Sequence, residues 1–342
     1  MGRYGRWIGR SGVLLFLFAC SSFSNAQKPE RYNLRPDECD AYDKIAVPAK
    51  DLPSREERSA LANCNSEDLY FGFGTPVDAV KARKCAYLER EMAGKVRERV
   101  FGGAGLLAMI YANGKGADRN FDLAAKFSCE IDGAPAENLG RFEHLQKLKN
   151  ENWTGDDFHL CDDATSGFMG GICAGLEEEF NRAKRERKLA QLISAWNPAE
   201  KQAFEEIRKA GQDFFQASSY NEVDLTGTLR GAFVVEAKAG LNDGFLAALE
   251  RFEKRDFPKF TDVDFTRADA KLNSLYSKIQ SKTDSLGYTT ITPAGVKTTQ
   301  RAWLRYREAW VTFGQIKYPS VAPESWRTWL TKERIKMLSS LL

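Results

Sequence analysis

The chain has 342 residues, with 50 lysine and arginine residues against 47 aspartate and glutamate residues, so its formal net charge is +3. Nucleic-acid-binding proteins carry a much stronger basic excess, and we therefore expect no nucleic acid among the partners. The charge is unevenly divided, because residues 27–173 contain 20 basic and 25 acidic residues whereas residues 174–342 contain 27 and 22. Net charges of −5 and +5 indicate two domains with ordinary solvated surfaces.

The first 26 residues have the composition of an export signal. A start containing three arginines precedes a short apolar run at residues 13–19, and small residues follow up to Ala26. The apolar run is far shorter than the roughly 20 residues that span a bilayer, so we predict a signal peptide at 1–26 and no transmembrane span. A lipid anchor at Cys20 is the alternative, because the preceding residues approximate a lipobox, although Phe18 is bulkier than that motif prefers. Either way the mature protein is periplasmic or secreted.

The cysteines support export and divide the chain. Six remain after cleavage, all before residue 174: Cys39, Cys64, Cys85, Cys129, Cys161 and Cys173. An even number in an oxidising compartment favours a disulfide framework, and six cysteines allow 15 connectivities. Cys64 and Cys85 lie at nearly equal distances from the turn between Gly72 and Asp78, which places them at one height on facing helices and predicts a disulfide between them. The other four stay unassigned, and the last cysteine marks a domain boundary.

Helical periodicity dominates the mature chain, and alternating strand patterns are absent. We expect an all-α protein with an irregular, proline-containing lead-in at 27–60, a disulfide-containing repeat domain at 61–173 and a helical domain at 174–342. This fold class is a short helix-pair solenoid followed by an α-helical bundle.

Residues 61–130 contain an internal repeat with a period of 42 residues. Gly72-Phe-Gly74 is followed by Asp78 and Ala82, and a second pair of glycines, Gly114-Lys-Gly116, is followed at the same offsets by Asn and Ala. Such a period is typical of helix-pair solenoids. The second copy closely resembles a Sel1-like repeat, in which the paired glycines form the turn and the later alanine packs the two helices together.

The C-terminal half is predicted to contain six helices. Two starts place a capping residue before a first-turn proline, Asn197-Pro198 and Thr292-Pro293. A weak duplication has an offset of 92 residues, which aligns Phe214 with Tyr306. Two interpretations are open: the bundle consists of two related three-helix units, or the similarity between its amphipathic helices is due to chance. The predicted helices are 175–193, 199–219, 226–253, 264–283, 293–314 and 323–341.

The residues give no defensible active site. His144 and His159 are the two histidines of the chain, and no third ligand lies at metal spacing, so we expect no metal and no cofactor. There is no nucleophile elbow, dinucleotide fingerprint or Cys-x-x-Cys pair. Adjacent carboxylates such as Asp156-Asp157 do not imply the two-sided pair that glycoside hydrolysis needs. We expect a protein that is not an enzyme, with peptidoglycan cleavage as a third hypothesis.

Three helical sequence segments near the C-terminus resemble a known protein family. They begin at Arg267, Gln300 and Trp326, and in this order they resemble the LprI-like lysozyme-inhibitor domain, a small helical module of bacterial envelope proteins. The chain departs from the family at Glu308, where aspartate is usual, and at Val311 and Trp326, where many members have a cysteine pair. The residues that carry the resemblance are Asp269, Leu272, Asn273, Tyr276, Gln300, Trp303, Tyr306, Arg307, Leu330, Thr331 and Arg334.

On a helix, the aromatic residues of the second segment, which begins at Gln300, recur every three or four positions and form a stripe. We expect Trp303 and Tyr306 to pack in a core and Arg307 to pair with Asp269 or Glu308, so that most of the motif is structural. Exposed edges of the stripe would then bind a partner, because tryptophan often anchors protein interfaces. The candidate binding residues are Trp310, Phe313 and Trp326.

The sequence thus predicts an exported, non-enzymatic protein-binding module. The resemblance implies that its partner is a lysozyme or another envelope protein and that it inhibits lysozyme. The alternative is a periplasmic scaffold that binds partners through its Sel1-like repeats, since helix-pair solenoids commonly bind with their concave faces.

Overall fold

A computed structural model describes residues 37–92 and 99–342. Within these ranges the chain is all-helical, with thirteen α-helices, one short 3-10 helix at Ala49–Asp51 and no strand. The predicted signal peptide, Cys20 and residues 27–36 of the lead-in lie outside the described residues. The α-helices are α1 Cys39–Tyr42, α2 Arg55–Ala60, α3 Ser66–Phe71, α4 Ala79–Glu91, α5 Gly103–Asn113, α6 Phe121–Ser128, α7 Pro135–Asn150, α8 Gly167–Ile193, α9 Pro198–Asn221, α10 Arg230–Glu253, α11 Asp262–Gln280, α12 Pro293–Lys317 and α13 Pro323–Ser339.

The 42-residue sequence repeat corresponds to two helix pairs with the same turn, α3–α4 and α5–α6. Gly72 and Gly114 end the first helix of each pair at φ angles of 81° and 67°, a conformation that glycine adopts without a steric penalty. Asp78 and Asn120 then cap the second helix, and the backbone N–H of each donates a 2.9 Å hydrogen bond to a carbonyl in the preceding helix. The equal spacing in the sequence therefore produces equal backbone geometry.

The helices pack around two hydrophobic cores. The first is built mainly from α3–α7 and the start of α8, and the second from the rest of α8 and α9–α13. Helix α8 contributes to both cores, with Leu176 in the first and Leu189 in the second. The domain boundary expected near Cys173 therefore coincides with a continuous helix.

Helix α8 begins at Gly167, eight residues before the predicted start. Ser166 caps it by accepting a 3.1 Å hydrogen bond from the backbone N–H of Met169. Glycine is a poor helix former, and four glycines in this first part obscure the helical pattern in the sequence. The same glycines allow close backbone packing, because a Cβ at Gly171 would lie 3.5 Å from the Cα of Gly231 on α10.

Three disulfides link elements of the first core. Cys64 is bonded to Cys85 with a Cα–Cα distance of 6.0 Å, which is the predicted pairing. The two cysteines do not both lie on helices as expected, because Cys64 precedes Asn65, the residue that caps the start of α3. The four cysteines that the sequence leaves unassigned form two further disulfides, Cys39–Cys129 and Cys161–Cys173. The first of these joins α1 to the end of α6, and the second joins the loop after α7 to α8.

The described part of the lead-in is packed against the repeats. Asp51 is 4% exposed and accepts a 2.9 Å hydrogen bond from the hydroxyl of Tyr111, which in turn lies 2.7 Å from the hydroxyl of Tyr87. Arg83 completes the network through an ion pair of 3.3 Å with Asp51. Burial raises the pKa of Tyr87 to about 12. Residues 37–60 also contain three short helical elements, which are α1, the 3-10 helix and α2.

The six helices of the C-terminal half form two sets of three, α8–α10 and α11–α13. In each set the first helix packs mainly on the third, and the two middle helices, α9 and α12, pack on each other. Helices α9 and α12 run antiparallel, because Lys317 at the end of α12 lies 3.3 Å from Glu200 at the start of α9. The aligned residues Phe214 and Tyr306 stack on each other near the middle of this contact, with ring centroids 5.5 Å apart.

Candidate functional site

The residues of the LprI-like resemblance divide into a buried set and a surface set. Trp303 is 2% exposed and Tyr306 is 6% exposed, while Tyr276 is partly buried against the same core. Burial raises the pKa of Tyr306. Its ring stacks on Phe214 of α9, so the core around the motif is completed by a residue from the first set of three helices.

A buried ion pair joins the motif to α9. Arg334 is fully buried, and its guanidinium donates hydrogen bonds of 2.6 and 2.5 Å to the two carboxylate oxygens of Glu222, the C-terminal capping residue of α9. The Nε of Arg334 donates a further 2.9 Å bond to Gln300. Two parallel bonds between a guanidinium and a carboxylate are a strong and geometrically specific contact. Two motif residues are therefore held in place by a carboxylate outside the motif.

The surface set forms a charged cluster where α11, α12 and α13 meet. Asn273 donates a 3.0 Å hydrogen bond to Asp269, whose carboxylate lies 3.7 Å from Arg307. Arg307 also bonds to Glu308 at 2.9 Å, and Glu308 accepts from Arg327 at 3.2 Å. Arg307 thus contacts both carboxylates that the sequence offered as its partners. The cluster is partly exposed, and each of its charges faces an opposite charge.

A comparison with protein families finds a match in this part of the chain. Residues 257–338 match the family model of the lysozyme inhibitor LprI. The LprI domain contains α11, α12 and nearly all of α13, whereas α1–α10 lie outside the match. No curated protein and no solved structure matches the chain. Among the described residues, no helix is both long and apolar enough to cross a membrane.

The prediction that Trp310, Phe313 and Trp326 form an exposed edge of the LprI domain is wrong. All three side chains are 0% exposed. Helix α10 covers two of them, with ring centroids 5.6 Å apart for Phe245 and Trp310 and 4.9 Å apart for Phe252 and Trp326. The aromatic stripe of α12 is wide because it packs against both α9 and α10. The three predicted binding residues are therefore shielded from solvent.

The two histidines lie apart from the LprI domain and have structural partners. The Nδ1 of His144 lies 3.1 Å from a carboxylate oxygen of Asp163. His159 packs 5.2 Å from the ring of Phe101, its Nδ1 accepts a hydrogen bond from the backbone N–H of Cys161, and burial lowers its pKa. The described part of the chain holds no group of three or more His, Cys, Asp or Glu residues that could bind a metal ion.

A groove of about 950 Å³ in the repeat region is lined by carboxylates that include Glu89 and Glu130. Glu89 accepts hydrogen bonds of 3.0 and 2.9 Å from the backbone N–H groups of Ser66 and Gly103. Glu130 pairs with Arg90 at 2.8 Å. Both carboxylates are therefore bonded to protein groups on the wall of the groove.

Proposed function

We propose that the protein is an exported, non-enzymatic binding module whose LprI domain inhibits a lysozyme in the bacterial envelope. The observation that carries the proposal is the match of residues 257–338 to the LprI lysozyme-inhibitor family. The structure adds physical support, because the motif residues Trp303 and Arg334 are buried in the core of the three-helix unit and Arg334 is hydrogen-bonded to Gln300.

Export is part of the proposal and is supported by the cysteines. Three pairs lie at disulfide distance in the first core. Disulfides persist in the periplasm and outside the cell but are rare in a reducing cytoplasm. The leader-like residues 1–26 would direct the chain there, and a lipid anchor at Cys20 is the alternative form of attachment.

Inhibition is tested with the purified mature protein and lysozymes of the c and g types. Cell-wall lysis is followed by turbidity at increasing molar excess of the protein, and complex formation is followed by calorimetry. We expect slower lysis and a saturable heat of binding with at least one lysozyme. Lysis at an unchanged rate, without a measurable complex, would refute lysozyme inhibition. A Trp303→Ala variant is the control, because loss of this buried indole should impair both the bundle and the inhibition.

A second candidate function rests on the repeat region. The two turns at Gly72 and Gly114 have the same geometry, as expected if residues 61–130 form Sel1-like repeats, and such solenoids commonly bind proteins. Crosslinking to envelope proteins distinguishes the two functions. Crosslinks within 61–130 would favour a scaffold, whereas crosslinks within 264–342 would favour an inhibitor.

A further inference from the structure

The loop between α7 and α8 lies against the second helix pair and forms no helix or strand of its own. It comprises residues 151–166. Among the described residues, no backbone group of residues 154–158 is hydrogen-bonded to another backbone group. Backbone groups that are withdrawn from water need hydrogen-bond partners. In this segment the partners are side chains of the helix pair α5–α6.

Asn113, the last residue of α5, makes the most specific of these contacts. Its side-chain nitrogen donates a 2.9 Å hydrogen bond to the carbonyl of Phe158, and its side-chain oxygen accepts a 2.8 Å bond from the N–H of the same residue. One amide side chain therefore binds both polar backbone groups of Phe158, because an amide offers a donor and an acceptor side by side. Asn113 is 5% exposed, so these bonds are shielded from water.

Two cations of the α5–α6 turn bind the carbonyls that precede Phe158. The guanidinium of Arg119 donates a 2.8 Å hydrogen bond to the carbonyl of Trp153 and a further bond to that of Gly155. The ammonium of Lys115 donates a 2.9 Å bond to the carbonyl of the next residue and lies 2.7 Å from its carboxylate. Apart from that carboxylate, the acceptors are backbone carbonyls, which any polypeptide offers.

Two apolar side chains of the segment enter the first core. Phe158 is 2% exposed and Leu160 is 0% exposed. Leu160 packs beside Gly105 of α5, where an added Cβ would lie 3.1 Å from its Cδ1 atom. Side chains two residues apart project to the same side of an extended chain. Backbone contacts that supply affinity, combined with apolar sites for alternate side chains, are a general means of binding an extended peptide.

We propose that this surface of the repeat region is a peptide-binding groove and that residues 153–160 are its intramolecular ligand. The partner that fits the groove is an extended polypeptide segment with two apolar side chains two residues apart. The groove is formed by residues within 61–130, so the inference deepens the second candidate function and is independent of lysozyme inhibition by the LprI domain.

The internal segment is tethered at both ends. It follows α7 directly, and the Cys161–Cys173 disulfide joins its other end to α8. Short tethers give an intramolecular ligand an effective concentration on the order of mM. A partner peptide at lower concentration must therefore displace the segment or bind after the segment has been released. Removal of the two apolar anchors releases it while leaving the groove residues unchanged.

The probe for the test is a fluorescein-labelled peptide of residues 151–162 with the change Cys161→Ser, which prevents disulfide exchange. Fluorescence anisotropy measures its binding to the mature protein and to a double variant that carries Phe158→Ser and Leu160→Ser. We expect the double variant to bind the peptide saturably. Wild type should bind it at least about 100-fold more weakly, because the internal segment competes at a much higher effective concentration.

Three controls locate the binding site. Adding Asn113→Ala to the double variant should weaken binding by about 10-fold or more, since both hydrogen bonds to one residue of the peptide are lost. Asn242→Ala is the matched control and should leave binding unchanged, because the side chain of Asn242 bonds at 2.8 Å to a carbonyl of its own helix, α10. A peptide that also carries Phe158→Ser and Leu160→Ser should not bind.

The melting temperature shows whether each variant folds. Because Phe158 and Leu160 belong to the first core, the two single variants are measured in the same way as the double variant. The peptide should raise the melting temperature of every variant that folds, as any ligand specific for the native state does. Where a variant lacks a cooperative transition, its recovery on addition of the peptide supports the groove, and failure of all three variants to recover overturns it.

The remaining outcomes are equally defined. Equal binding of the peptide by wild type and the double variant would overturn the intramolecular ligand. Folded variants that do not bind the peptide would overturn the groove, and so would binding that Asn113→Ala leaves unchanged. Crosslinks to partners elsewhere within 61–130 would still support a scaffold in those cases, and the inhibition of lysozyme would be unaffected.

Discussion

The buried ion pair between Arg334 and Glu222 should be essential for the stability of the C-terminal half. The Glu222 side chain is 4% exposed and Arg334 is fully buried, so water cannot replace a lost partner. Removal of the carboxylate by Glu222→Ala leaves a buried guanidinium. Its remaining oxygen acceptor is the side chain of Gln300, at 2.9 Å. Breaking a buried pair in this way costs about 3–5 kcal/mol. At about 2–4 °C per kcal/mol, the melting temperature should fall by roughly 6–20 °C.

Thermal and urea unfolding followed by far-ultraviolet circular dichroism measure this effect. The matched control is Glu333→Ala, because Glu333 is the neighbour of Arg334 on α13 and makes an exposed bond of 2.8 Å to Lys336. That exposed pair should contribute less than about 1 kcal/mol. The double variant Glu222→Leu with Arg334→Met should recover part of the stability, because it removes both charges together. A loss below about 1 kcal/mol for Glu222→Ala, or additive effects in the double-mutant cycle, would refute the reasoning.

Three further outcomes follow from the geometry. Gly314→Ala should destabilise the bundle by about 1–3 kcal/mol in urea unfolding, because a Cβ there would lie 2.6 Å from the Cε2 atom of Trp326. The control Gly240→Ala on α10 should not destabilise it, because the added Cβ meets no neighbouring element within 4 Å. Replacing the Cys64–Cys85 pair by serines should cost about 3 kcal/mol, since the disulfide closes a loop of 21 residues, and peptide mapping without reduction should recover these two cysteines as one linked peptide. The pKa of His159 is lowered by burial, so below the ordinary value of 6.5 the unfolded chain binds more protons than the folded chain. The free energy of unfolding should therefore fall as the pH drops through that value. A His159→Gln variant should show a weaker dependence of this free energy on pH in the same range.

Much of the local structure could be predicted from the sequence. Helix starts at Asn197 and Thr292 were visible because their side chains cap the next turn and a proline follows each of them. The repeated turns were visible because glycine tolerates a positive φ that other residues avoid. The Cys64–Cys85 disulfide followed from equal distances to one such turn. These features depend on residues close together in the chain, and local geometry is enough to determine them.

The long-range partners could not be predicted in the same way. Glu222 and Arg334 are 112 residues apart, and Cys39 and Cys129 are 90 apart, so neither pair is related by a shared turn or helix register. Nothing in the spacing of the LprI motif indicates that its arginine bonds to α9. Such contacts depend on how whole helices pack, which is a property of the assembled cores.

Exposure of the aromatic residues was decided by the tertiary structure alone. Helical spacing showed that Trp310, Phe313 and Trp326 belong to an apolar surface, but spacing does not say whether a neighbour covers that surface. Helix α10 covers two of these residues, whereas Tyr288, in a loop without periodicity, is left in solvent. The sequence by itself determined most of the helices, their apolar faces and the similarity of residues 257–338 to LprI. Packing between distant helices decided which of those faces became core, because burial depends on the partner as well as on the residue.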